Sequence, residues 1–162
     1  MVCIQLFVIH FCTFINRKND SADYNINLLV YTQYWIMENL FIEGSSTMPT
    51  VEFNTSGLLK IVGRALPENA HQFFSPLITW VKEFIHDDVT VEINLEYFNT
   101  AVSKQLYDFL KAVEGNTNFK KIKCKWFYED GDDEILESGE IYEDLLPNIK
   151  FEYHKYAEVY EE

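Results

Sequence analysis

The segment Asn99-Thr100-Ala101-Val102-Ser103-Lys104 gathers two hydroxyls, an amide and an ammonium within six positions. The chemistry on offer depends on where Thr100 falls in the chain's local structure. At a helix start, a side-chain oxygen can accept a hydrogen bond from an unpaired backbone N–H of the first turn. The same free N–H groups and the positive end of the helix dipole also favour a negative charge placed there. A threonine at such a point is a cap, a well-tolerated site for a phosphate, or both.

The flanking residues supply that setting. Val89, Val91, Ile93, Leu95 and Tyr97 alternate with Thr90, Glu92, Asn94 and Glu96, which is the period of a half-buried strand. After Asn99-Thr100 the period changes. Val102, Leu106, Phe109, Leu110 and Val113 recur at helical spacing, and Gly115-Asn116 stop the run. Asn99 or Thr100 therefore stands where a strand hands over to a helix.

A second helix start lies at Pro67-Glu68-Asn69, with Asn69 as its cap. It is followed by an apolar stripe of Ala70, Phe73, Phe74, Leu77, Ile78, Val81, Phe84 and Ile85. Pro76 falls early in that run, so either Ser75-Pro76 is the true start or the first turn is irregular. Glu68 could supply a carboxylate for catalysis with a nearby histidine, but a glutamate at a helix start is equally served by the dipole.

Other catalytic patterns are missing. There is no G-x-S-x-G, no GxxxxGK[ST], no H-E-x-x-H and no G-x-G-x-x-G after a strand. His71 and His86 fall near a helix start and end, where capping or solvation explains them. Asp130, Asp132 and Asp133 have neither the spacing nor the terminal glutamate of a calcium loop, and they read as a solvated face. Cys3, Cys12 and Cys124 form no CxxC pair, and Cys124 reads as a buried free thiol in a reducing compartment. No catalytic residue, cofactor site or metal site is expected, and the expected location is cytoplasmic.

Composition bounds the rest. The 162 residues suffice for one domain with a real core, and 48% apolar with 16% aromatic residues is a globular composition. The net charge of −13 falls entirely on residues 37–162, which hold 11 basic and 24 acidic residues. A field of that sign repels nucleic acid and anionic membrane, and no basic stripe offsets it. Residues 1–36 are balanced in charge, aromatic and irregular; their apolar start is too short to span a bilayer and lacks the marks of a secretory signal. Met37-Glu38-Asn39-Leu40 reads as the beginning of a domain. The expected organisation is thus a non-native upstream extension, or a disordered or poorly packed segment, over 1–36 and a single domain over 37–162.

From Met37 the order is a strand at Leu40-Phe41-Ile42, hairpin strands at Val51–Phe53 and Leu58–Val62, a helix, the strand and helix around Thr100, and a strand over Lys120–Tyr128. An exposed acidic loop, a short helix over Glu140–Leu146 stopped by Pro147, and a strand through Phe151 and Tyr153 follow. This predicts an α/β (α+β) fold, a single domain with a mixed, mostly parallel sheet and helices packed on it.

Several of these motifs together resemble one family. Gly63-Arg64-Ala65-Leu66-Pro67-Glu68-Asn69, Trp80, Tyr97-Phe98-Asn99-Thr100 with Ser103-Lys104, Trp126-Phe127-Tyr128-Glu129-Asp130 and Glu137-Ser138-Gly139-Glu140 are similar to the SiaC family of bacterial regulatory phosphoproteins. The resemblance covers about 37–155 in order. It implies a domain like the STAS domain of anti-sigma factor antagonists, and a protein that is not an enzyme. It further implies that Thr100 is phosphorylated by a cognate Ser/Thr protein kinase and dephosphorylated by a PP2C-type phosphatase. The unphosphorylated form would bind and activate an effector such as a diguanylate cyclase, tuning cyclic-di-GMP. Asn99, Ser103, Lys104, Pro67, Glu68 and Asn69 would form the partner-binding surface around it. The family usually has serines where this chain has Ala65, Ala101 and Val102, so fewer polar contacts are expected near the acceptor.

Two alternatives make different demands. A constitutive interaction domain needs Thr100 only as a cap. A small enzyme using Glu68 needs a pocket that holds Glu68 together with a histidine.

Overall fold

The computed structural model describes residues 37–157, and of these the residues from Glu38 belong to one compact unit. The expectations for residues 1–36 lie outside the described residues. The elements are β1 (Leu40–Ile42), β2 (Thr50–Phe53), β3 (Leu58–Ala65), α1 (Ala70–Glu83), β4 (Asp88–Phe98), α2 (Thr100–Glu114), β5 (Lys121–Glu129), α3 (Asp133–Leu145) and β6 (Lys150–Tyr156).

The six strands lie side by side in chain order. β1, β2 and β3 run antiparallel, joined between β2 and β3 by a tight turn, and β3 to β6 run parallel. This is the mixed, mostly parallel sheet expected from a hairpin followed by helix-separated strands.

Strand alternation sorts the residues into two faces. The register Phe53, Leu59, Val91, Cys124 and Phe151 makes an apolar row across five strands. All five are buried. Phe53 meets Trp80 of α1 and Phe109 of α2, while Trp126 in the next row meets Tyr142 of α3. The three helices therefore cover the same face, as right-handed crossovers between neighbouring parallel strands require. On the other face the row is Glu52, Lys60, Glu92, Lys125 and Glu152, alternating in charge. Glu92 lies 2.9 Å from Lys125 and 3.5 Å from Lys60. These cross-strand pairs let a sheet face that none of the described helices covers carry charge rather than a large apolar surface.

Two helices differ from expectation. α1 begins at Ala70, with Asn69 Oδ1 accepting from Gln72 N at 3.0 Å, and Pro76 lies inside it. Ser75 is thus not the start, and the first turn is regular; the stripe of Phe73, Phe74, Leu77 and Val81 buried on the sheet outweighs the one hydrogen bond Pro76 removes. α3 begins at Asp133, about two turns before the expected Glu140, so most of the supposed loop is helical. Asp132 Oδ1 accepts from Ile135 N at 3.0 Å, and Asp133 and Glu134 sit favourably at the positive dipole end. Ile135, Gly139 and Tyr142 then face inward at helical spacing. The acidic run had masked this stripe.

Gly139 is required there. A Cβ at this position would fall 2.8 Å from Trp126 Nε1. The bare glycine lets α3 lie against the indole, whose Nε1 donates to the Ile135 carbonyl at 2.9 Å.

Candidate functional site

The parallel strands point their carboxyl ends to one edge, the usual place for function in such sheets. Ala65 at the end of β3 pairs with Phe98 at the end of β4. The segments that follow, Pro67-Glu68-Asn69 and Asn99-Thr100, therefore leave the sheet as neighbours. A bulge between Gly63 and Arg64 shifts the register just before this point. Gly63 adopts a φ of 107°, which an L side chain rarely accepts, and Arg64 then reaches over the Tyr97 ring at 5.8 Å.

Asn99 is the cap of α2. Its Oδ1 accepts from Val102 N at 2.9 Å, and its carbonyl accepts from Ser103 N at 2.9 Å. Thr100 occupies the first helical position and is exposed. Its hydroxyl has no hydrogen-bond partner among the described residues, so Thr100 is not the cap that the constitutive alternative assigned to it.

The other expected partner-binding residues divide. Glu68 and Lys104 are exposed, with Lys104 Nζ 2.6 Å from Asp108 Oδ2. Pro67 is buried and does not belong to a free surface. Asn69 and Asn99 spend their side-chain oxygens on caps. Ser103 Oγ lies 2.8 Å from the Tyr142 hydroxyl, which in turn donates to the Ser103 carbonyl at 3.0 Å. Burial holds the Tyr142 phenol above its ordinary pKa, so it remains a donor. Tyr142 was not legible as a site residue in the sequence; its spacing from Ile135 and Gly139 was the available signal.

The positions where serines are usual also separate. Ala65 and Val102 are fully buried, while Ala101 is exposed. In this chain only position 101 presents a side chain to solvent beside Thr100.

Glu68 is exposed and does not line the groove along α1 that holds His71. The groove along α1 is lined by His71, Gln72, Ser75, Thr79, Trp80 and Glu83 among others, without Glu68. His71 Nδ1 lies 3.3 Å from Gln105 Oε1, tying α1 to α2. His86 sits against the Asp88 backbone and stacks on Phe84. Of the acidic run, Asp130 pairs with Lys155 at 3.0 Å and Asp132 caps α3. Among the described residues no group of three metal-ligating side chains forms a cation site, and no helix is long and apolar enough to cross a membrane.

Comparison with known proteins gives concordant results. The model of the SiaC family regulatory phosphoproteins matches residues 42–156. An uncharacterized protein of Pseudomonas aeruginosa (strain UCBPP-PA14) is 27% identical over 109 residues, covering 64% of this chain and 86% of the relative. Apo-SiaC of Pseudomonas aeruginosa superposes with a TM-score of 0.60 at 25% identity, covering 73% of this chain and 99% of the other. SiaC crystallised with the diguanylate cyclase SiaD, which it activates, gives a TM-score of 0.62 at 24% identity, covering 72% of this chain and 99% of that one. The mixed α/β fold is the fold of those structures.

Proposed function

The chain belongs to the SiaC family of regulatory phosphoproteins, and on that premise we propose that it is a non-enzymatic, cytoplasmic phospho-switch with Thr100 as the acceptor. The observation that carries the reading is the division of labour between Asn99 and Thr100. Asn99 takes the cap, which leaves Thr100 exposed at the first helical position with its hydroxyl uncommitted.

Phosphate on Thr100 adds about −1.5 to −2 charge at pH 7. The first-turn N–H groups that Asn99 does not occupy accommodate it, so α2 survives the modification. A partner surface fitted to a neutral hydroxyl does not, because repulsion and desolvation oppose docking. The switch is local electrostatics and needs no change of fold. A Ser/Thr kinase writes the phosphate, a PP2C-type phosphatase removes it, and the unmodified form binds and activates an effector. A diguanylate cyclase is the effector of choice, since the similar SiaC of Pseudomonas aeruginosa is the activator of one.

The test is intact-mass analysis of the protein from its own cells beside a Thr100→Ala variant. A species heavier by about 80 Da, one phosphoryl group, is expected in the first and absent in the second. A single unmodified mass under every growth condition would overturn the reading.

A further inference from the structure

Three residues of α2 share one line along the helix. Thr100, Lys104 and Asp108 are spaced four residues apart, so their side chains stand one above another. Thr100 and Lys104 are exposed, and Asp108 is half-buried. In the unmodified protein Lys104 is paired forward, with its Nζ 2.6 Å from Asp108 Oδ2. Gln105 Nε2 approaches the same Asp108 oxygen at 3.5 Å, and Gln105 Oε1 faces His71 Nδ1 of α1 at 3.3 Å.

That ion pair runs against the helix. A cation four residues before an anion pairs less well than the reverse order, which agrees with the helix dipole. The Lys104 side chain is 72% exposed, so little besides this one pair holds it to Asp108. A phosphate on Thr100 offers a better partner. It stands four residues before Lys104, in the favourable order, and carries about −1.5 to −2 charge where Asp108 carries a single one. Arg64 is the rival cation near this end of α2. Its guanidinium already lies over the Tyr97 ring at 5.8 Å, and no helical spacing aligns it with Thr100.

We propose that Lys104 reads the phosphate within the chain: on modification of Thr100 its ammonium leaves Asp108 and closes on the phosphoryl oxygens one turn back. Asp108 then falls to Gln105 Nε2, whose amide also faces His71. The exchange of partners thereby carries the modification from the start of α2 to α1. The inference rests on the switch reading and adds to it the residue that senses the phosphate.

The experiment places phosphothreonine at position 100 of the full chain by genetic encoding, so it needs no kinase and does not depend on whether cells modify Thr100. Phosphorus NMR then follows the second ionisation of the phosphate, near about pH 6, in the parent, in Lys104→Gln and in Arg64→Gln. Glu68, Glu96, Tyr97 and the first-turn N–H groups are common to the parent and Lys104→Gln, so their difference isolates Lys104. The midpoint is expected to rise by about 0.3 pH units in Lys104→Gln, the scale of one exposed helix pair, and by less in Arg64→Gln. Asp108→Asn ends the competition for Lys104, and it is expected to lower the midpoint more in the parent than in Lys104→Gln. The Gln105 side-chain amide signal is expected to move on phosphorylation in the parent and to stay in Lys104→Gln. Equal midpoints in the parent and Lys104→Gln would overturn the assignment and leave the switch standing. So would a larger rise in Arg64→Gln. Failure of the switch itself shows separately, as the absence of phosphate from the native chain by intact mass.

Discussion

The Tyr142 hydroxyl lies 2.8 Å from Ser103 Oγ and donates to the Ser103 carbonyl at 3.0 Å, across 39 positions of sequence. This contact ties the first turn of α2, where Thr100 sits, to the third turn of α3. Tyr142→Phe keeps the ring against Trp126 and removes only the hydroxyl. A loss of about 1 kcal/mol in unfolding free energy is expected from urea titration, the net worth of such a hydrogen bond. An unchanged midpoint would mean that water replaces the tie at no cost.

Asn99 and Thr100 are adjacent, and their substitutions are expected to diverge. Asn99→Ala removes the cap of α2 and costs about 1 kcal/mol of stability. Thr100→Ala leaves the cap in place, changes stability by less than about 0.5 kcal/mol, and on the proposed switch removes the phosphate acceptor. Thermal melts of the two variants check this; equal destabilisation would return the capping role to Thr100.

Gly139→Ala places a methyl group 2.8 Å from Trp126 Nε1. Either the indole or α3 must shift, and overpacking of this kind costs about 1–3 kcal/mol. The change should appear as a lower melting temperature together with altered tryptophan fluorescence. Gly131→Ala is a useful contrast: nothing lies near its Cβ, and its penalty arises from a φ of 93° alone.

Acid should weaken the charged sheet face through Glu92. Burial pushes its carboxyl pKa up, but Lys125 and Lys60 more than offset this and hold it below the ordinary value. A depressed native pKa means that the contribution to stability is complete above about pH 4.3, the unfolded value, and is lost as pH falls through the native one. Glu92→Gln should therefore lower stability at pH 7 and flatten its fall below pH 4.3. Parallel slopes for the two proteins would show that the pairs contribute nothing.

Much of the fold was legible before any coordinates. The period-two run from Val89 to Tyr97 and the helical run from Val102 to Val113 mark β4 and α2, because each pattern buries one face and one alone. The hairpin and the strands between helices likewise imply a mixed sheet. α3 was not legible to the same degree. Its acidic residues are exposed and uninformative, and its buried stripe includes a glycine, whose value depends on the indole of Trp126 against it.

The site divides in the same manner. Local chemistry alone marked Asn99-Thr100 as a helix start, since the change of period and the capping residues lie within a few positions. Which of the two would cap, and which would stay free, is a matter of backbone geometry that both residue types satisfy on paper. Only the tertiary structure buries Pro67, commits Ser103 to Tyr142, and packs Gly139 against the Trp126 indole. Those facts arise from contacts between elements far apart in the chain, and no local pattern encodes which far surface a side chain will meet.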